Sequence, residues 1–428
     1  MIAQPVAEPA AAGPAATRRP YPSPGFQTVD WEQRVDPARL RDYRMARARA
    51  ALESSELGAL LLFDFNNIRF VTSTHIGEWA RDKMTRFALQ TRGGAPHLWD
   101  FGSAAKHHRL YCPWLPPENV QGGMIGLRGA VAPRAGLFTG AARQVAEILR
   151  REGVADMPIG VDIVEPPMLA ALQAEGIKVL DGQQVMLDAR EVKSSDEIIL
   201  LNQACAMVDG AYQLIAEQLK PGVRESELVA NVTKFLFDAG AEHVDNINAV
   251  SGERCSPHPH VFSDRLIRPG DQAFFDIIQT LVGYKTCYYR TFVVGKASDA
   301  QRDAYKQARE WIDASIELMR PGVTTDKVAA VWPRAEEFGF ENEMECFGLQ
   351  FGHGVGLFLH ERPIISRLNS LEHPDVIKEG MVIALETYCP AKDGYSAARI
   401  EEEVVVTADG PQVITKFPSD ELFVANAY

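Results

Sequence analysis

What the chain has little of narrows its class first. Only six cysteines, Cys112, Cys205, Cys255, Cys287, Cys346 and Cys389, are spread through 428 residues, and no two form a Cys-x-x-Cys pair. That spacing argues against a disulfide framework and makes a reducing cytoplasm the expected compartment. Positive charge is also short: 44 Lys and Arg stand against 57 Asp and Glu, a net charge of −13. The basic footprint that nucleic-acid binding needs is missing. No apolar window reaches membrane-spanning length by eye. The start, MIAQPVAEPAAAGPAATRRPYPSPG, has no apolar stretch of signal-peptide length, and Arg18-Arg19 is followed by prolines. Neither a nucleic acid nor a membrane is expected as a partner.

What is present is ample material for a core. Hydrophobic residues make up 46% and charged residues 24%, which fits a folded chain of about two or three domains. Residues 1–36 read as a flexible Ala/Pro tail. PARLRDYRMARARAALESSELG (37–58) then has helical spacing and a Gly stop. ALLLFD (59–64) reads as a buried strand, and FALQTRGGAPHLWDF (87–101) as two strands around a Gly-Gly turn. AARQVAEILRREG (141–153) is a helix, and PIGVDI (158–163) and GIKVLDG (176–182) are short strands. This predicts a smaller α/β domain over 37–190 and a second over 191–428.

The second domain repeats itself. SSDEIILLNQACAMVDGAYQLIAEQLKPG (194–222) opens it, with Ser195 as the expected N-cap and Pro221-Gly222 as the stop. QLKPGVRESELVANVTKFLFDAGAE (218–242) resembles LMRPGVTTDKVAAVWPRAEEFGFE (318–341). Each reads as a helix end, a Pro-Gly turn, a polar cap and a second helix. RLIRPGDQAFFDI (265–277) resembles DVIKEGMVIALET (375–387), so that Asp276 and Glu386 each lie six residues after a glycine. Two matched copies predict a pseudo-symmetric α/β domain with both carboxylates over one pocket.

Further stretches carry candidate chemistry. QFGHGVGLFLHERP (350–363) sets His353 between glycines and follows it with His360 and Glu361. Glycines there let backbone and ligand approach closely. SGERCSPHPHVFSDRLIRPGD (251–271) adds His258 and His260. In AARIEEEVVVTADG (397–410), strand alternation puts Glu401 and Glu403 on one face and Glu402 on the other. GYKTCYYRT (283–291) lies between two strand-like runs, QAFFDII (272–278) and FVVG (292–295).

Taken in order, these stretches resemble the creatinase/prolidase family, whose pita-bread fold is shared by methionine and proline aminopeptidases, over about residues 190–428. The N-terminal half is similar to the smaller domain of creatinases and prolidases. FDFNNIRFVT (63–72), HLWDF (97–101) and ITKFP (414–418) resemble the dimethylsulfoniopropionate lyase branch. In peptidase members, the resemblance implies, five ligands hold two metal ions, and their places fall on Asp276, Cys287, His353, Glu386 and Glu401. Four match. Cys287 replaces the carboxylate that bridges both ions, and a two-metal centre that shares a water needs that bridge. The centre is therefore expected to hold one divalent metal ion or none, as in the creatinases, which have lost metal ligands and use acid–base chemistry.

The resulting expectation is a homodimeric pita-bread enzyme acting on a small polar or zwitterionic molecule and cleaving a C–N, C–S or C–C bond. His353, His260, His258 and His360 would supply proton transfer, with Glu386 and Glu401 positioning cationic or hydrogen-bonding groups. Either His258 or His260 fits the place of the family's substrate histidine. Arg399 and Arg290 would orient the carboxylates, with a purely structural place as the alternative for Arg290, and Arg399, Tyr288 and Trp79 would meet substrate, with Phe65, Trp79 and Arg81 forming a lid over a partner's site. The alternatives are a metal-dependent Xaa-Pro dipeptidase or aminopeptidase, and a non-catalytic binding protein on the same fold.

Overall fold

A computed structural model describes residues 34–81, 84–124, 129–346 and 351–427. The expected tail lies outside the described residues except for its last three, of which Asp36 caps the first helix by accepting from the amides of Ala38 and Arg39. That helix, Pro37–Glu53, packs against a six-stranded sheet. The sheet runs in the order Val120–Gly122, His97–Asp100, Phe87–Thr91, Ala59–Leu62, Ile159–Val161, Val179–Asp181. The central strand Ala59–Leu62 is buried on both faces, as a continuous apolar run requires.

From Ser195 on, the chain builds two similar five-stranded sheets. The first runs Phe423–Ala425, Tyr289–Val294, Gln272–Leu281, His243–Ser251, with Tyr284–Lys285 paired to Gln272–Leu281. The second runs Glu361–Ile365, Gly352–Gly354, Val382–Glu386, Glu401–Thr407, Gly410–Val413. The repeat read from sequence is present in detail. Each half opens on a long helix, Ser195–Gln218 or Asp299–Glu317, and each helix begins with a serine capping box. An isolated bridge ties the segment after each Pro-Gly turn to the segment before the carboxylate strand: Arg224 to Leu266, and Thr324 to Val376.

Three local expectations are corrected. The N-cap of the first long helix is Ser194, one residue earlier than expected, because its side chain reaches the Glu197 amide. The second helix of the second repeat is only Thr325–Ala329, followed by a 3-10 turn at Ala335–Phe338. Pro333 falls where its first-copy counterpart continues, and proline clashes with a continuing helix. Ser195–Gln218 is long and apolar enough to cross a membrane by length and composition, but half of the apolar window is buried in the protein. Its Ala204, Met207, Val208, Ala211 and Ile215 join one core cluster with Phe275 and Phe292.

The N-terminal sheet is tied to the rest by buried polar contacts. Arg44 donates to the Tyr284 hydroxyl at 2.7 Å, and that hydroxyl donates to Glu197 at 2.9 Å. Glu361, buried, is held by Arg190 at 3.0 Å and Lys193 at 2.9 Å. Arg190 also donates to Asn67, which donates to Asp162 at 2.9 Å. Arg69 forms a two-pronged pair with Glu242.

Candidate active site

The two sheets of the second domain meet over a cavity of about 490 Å³. The register of the strands explains what faces it. Asn248, Asp276 and Tyr289 lie directly opposite one another on three adjacent strands. Asn248 donates to Asp276 at 3.0 Å, and its amide also contacts the Tyr289 hydroxyl at 3.0 Å. In the other sheet Glu386 pairs with Glu401, and Ala384 pairs with both Glu403 and His353. Side chains two apart on a strand share a face, so His353, Glu386, Glu401 and Glu403 point the same way. Glu402 points oppositely, to Arg290 at 2.9 Å and to Thr415 and Ser419.

Cys287 sits where the two sheets touch. Its amide donates to Glu403 at 2.7 Å, and its side chain packs with Ile278 and Ala384 at 5% exposure. The Cys287 sulfur, a His353 ring nitrogen and a Glu401 oxygen lie within 4.8 Å of one another. Four buried atoms here, Asp276 Oδ1, His353 Nε2 and both Glu401 carboxylate oxygens, have no hydrogen-bond partner at proper geometry among the described residues. Left so, each would carry the desolvation cost of an unpaired buried group, about 1–3 kcal/mol and more if charged. Cys287, His353 and Glu401 there are the residues that would hold a metal ion.

Electrostatics follow from burial. Removal from water pushes the Asp276 carboxyl up to about 7; Arg399 pulls it down and Glu386 pushes it up further. Burial, then Glu386 and Asp276, hold Glu401 well above the carboxylate range. Burial also lifts Glu403 to about 8, against the opposing Cys287 amide. The Cys287 thiol is raised by burial and then by Glu401 and Asp276. Arg399 is the cation of the group. It donates to Glu386 at 2.7 Å, to His258 Nε2 at 2.7 Å and to the Thr387 carbonyl at 3.1 Å, and stacks 3.9 Å over Tyr289.

The histidines divide by position. His258 accepts from Arg399, and burial and then Arg399 push its pKa far down, so it stays a neutral acceptor. His260 lies against it with ring centres 3.7 Å apart and planes tilted by 46°, and is an exposed residue of the cavity lining. Its φ of 52° is uncommon for a residue with a side chain, and such strain clusters at functional sites. His360 lines the cavity, 4.5 Å from the His353 ring, and burial and then His353 lower its pKa to about 4.

One expectation fails here, and Arg290 and Trp79 take places that the sequence left open. Tyr288 does not meet the cavity: its ring is buried against Tyr212 and its hydroxyl donates to Asp209 at 2.6 Å. The strand is Tyr289–Val294, starting three residues before the run at 292–295, and its register sets Tyr289 opposite Asp276, so Tyr289 faces the acids instead. Arg290 binds Glu402 and the Glu401 carbonyl, behind the sheet. Trp79 is 61% exposed, rests on Phe101 at 5.7 Å and is not part of the cavity wall of its own chain. Asn248 was missed, although one polar residue inside the run Ile247–Val250 was a visible signal. Tyr388, Ile278 and Leu359 in the wall carried no such signal.

Residues 200–408 match the model of metallopeptidase family M24. The Xaa-Pro dipeptidase of Pyrococcus furiosus is 33% identical over 237 residues, 54% of this chain and 65% of its own length, so the match spans less than two thirds of that relative. The dimethylsulfoniopropionate lyase DddP of Roseovarius nubinhibens is 26% identical over 403 residues, 90% of this chain and 87% of its own. Among solved structures, the dipeptidase PepE of Mycobacterium ulcerans superposes with a TM-score of 0.73 at 23% identity, over 92% of this chain and 100% of its own. That likeness is one of fold, and it is the pita-bread architecture implied by the sequence.

Proposed function

Because the chain belongs to metallopeptidase family M24, we propose that it is a family enzyme without a two-ion centre, one that cleaves a C–S, C–N or C–C bond of a small zwitterionic molecule by proton transfer. One observation carries this reading: Cys287 stands in the cavity wall where the five-ligand set needs a second carboxylate. The remaining donors do not fit two ions. A thiolate offers one donor atom where a carboxylate spans two metals with two. Glu386 is also engaged by Arg399 at 2.7 Å.

The cavity suits a zwitterion. The rings of Tyr289, Tyr388 and Phe340, with Asp276 and Glu386, favour a cationic group. Arg399 is the cation in reach of a substrate carboxylate. His360 and His260, both with lowered pKa, are neutral proton acceptors. For an elimination, such an acceptor takes a proton from the carbon beside the carboxylate. The C–H electron pair becomes a C=C bond. The bond to the cationic group breaks, and its pair leaves with that group as a neutral thioether or amine.

A second reading, a metal-dependent Xaa-Pro dipeptidase, is favoured by the 33% identity to a protein of that name. Proton NMR of the enzyme with dimethylsulfoniopropionate, quaternary-ammonium propionates and proline-ending dipeptides, with and without Mn²⁺, separates the two. Alkene resonances from a zwitterion are expected. Mn²⁺-dependent dipeptide hydrolysis, with every zwitterion untouched, would transfer the assignment to the dipeptidase.

A homodimer accounts for Trp79, which would then meet the second chain near its cavity. Light scattering at assay concentration is expected to give twice the 47.3 kDa chain mass. A monomer that is fully active would remove Trp79 from any role at the site.

A further inference from the structure

We propose that Cys287, His353 and Glu401 form a mononuclear, thiolate-containing metal site, and that its ion is of the borderline kind, such as Zn²⁺ or Co²⁺. The inference rests on the reading that no two-ion centre forms, and adds which residues hold the one ion and what class of ion it is. Three different donor types converge within 4.8 Å, all buried. A tetrahedral ion with bonds of about 2.3 Å to sulfur and about 2.0 Å to nitrogen or oxygen holds such donors about 3.5 Å apart. A small closure around the ion therefore completes the set.

The independent observation is the pattern of orphaned atoms. His353 Nε2 and both Glu401 oxygens are fully buried and make no hydrogen bond of proper geometry among the described residues; the Glu386 carboxylate stands 3.5 Å from Nε2. The other ring nitrogen, His353 Nδ1, lies 2.9 Å from the Gly354 carbonyl. That contact fixes the proton on Nδ1 and leaves Nε2 with its lone pair outward. This is the second-shell arrangement that orients a metal-binding imidazole. The Cys287 amide is fixed on Glu403 at 2.7 Å, which holds the sulfur's backbone in place.

The donor set also selects. A thiolate, an imidazole and one carboxylate suit Zn²⁺ or Co²⁺, whereas Mg²⁺ and Ca²⁺ prefer oxygen alone. Three protein ligands leave one position open, as in catalytic rather than structural zinc sites. Cys287 itself lines the cavity, so that open position can face it. Asp276 and Glu386 then remain outside the set as groups of the cavity wall.

The test loads chelator-stripped protein with Co²⁺ and reads absorbance and bound metal, with no substrate involved. One ion per chain is expected, with a near-ultraviolet sulfur-to-cobalt charge-transfer band. Cys287→Ser should abolish that band and weaken binding at least about tenfold, as loss of a direct ligand should exceed the 10–100-fold lower limit for outer-shell changes. The native protein alone carries the first half of the test, so a variant that fails to fold does not decide it. Cobalt binding without the band, or the band intact in Cys287→Ser, would overturn the site. Two ions per chain would instead overturn the reading beneath it.

Discussion

His360→Ala is expected to lower kcat about 10²–10⁴-fold, the usual contribution of a positioned acid–base group, with the circular dichroism of the protein unchanged. Its imidazole lines the cavity and stays neutral near pH 7, because burial and His353 set its pKa near 4. His353→Ala acts indirectly, since its ring lies 4.5 Å behind His360 and its Nε2 is 3.5 Å from Glu386. It should cost about 10²-fold, the effect of a small misplacement. KM should move little in both. Turnover of the leading substrate by His360→Ala within threefold of wild type would place the proton acceptor elsewhere, with His260 next in line.

Arg399→Met is expected to destabilise the chelator-stripped protein by about 3–5 kcal/mol at alkaline pH, as removal of one partner from a buried pair does. Arg399 and Glu386 are both largely buried and 2.7 Å apart. Burial opposes the Arg399 charge, but Tyr289, Glu386, Glu401 and Asp276 together hold it above the ordinary arginine range. The pH dependence has a definite sign. Asp276 titrates near 7 in the folded protein, above its unfolded value of about 3.9. A carboxyl raised in this way costs stability as it ionises. Arg399 lowers that pKa, so its loss raises it further. Below pH 7 Asp276 is protonated with or without Arg399, and the deficit is small from this source. Above pH 7 the deficit should widen. Urea unfolding at pH 6 and pH 9 measures both, and equal midpoints for variant and wild type would mean that the carboxylates do not depend on Arg399.

The parts of the site that depend on local periodicity were legible in the sequence. Alternation alone separated Glu401 and Glu403 from Glu402, and the structure puts Glu402 on the opposite side with Arg290. The repeat placed Asp276 and Glu386 over one cavity before any strand was paired. What failed depended on pairing between distant segments. Whether Tyr288 or Tyr289 faces the acids is set by the register that puts Tyr289 opposite Asp276, and no local pattern encodes that offset. Asn248 owes its role to the same row of residues. Arg290 stayed open between a partner for the site carboxylates and a structural cation because charge alone does not say which face of a sheet a side chain takes. The shortened helix at Thr325–Ala329 is different. Pro333 was in plain view, and the similarity of the two copies outweighed it.

His360 and Glu361 are neighbours on the chain with opposite tasks. One presents an imidazole to the cavity; the other is gripped by Arg190 and Lys193 where the two halves of the molecule join. The backbone that carries His360, the proposed proton acceptor, is thus fastened, one peptide unit away, by two cations that are themselves buried. Orientational freedom at His360 is given up during folding, when the halves dock, rather than when a substrate arrives. On the proposed reading, the contact of Arg190 and Lys193 with Glu361 acts as the vice that preorganises the chemistry, and binding energy is left for holding the substrate.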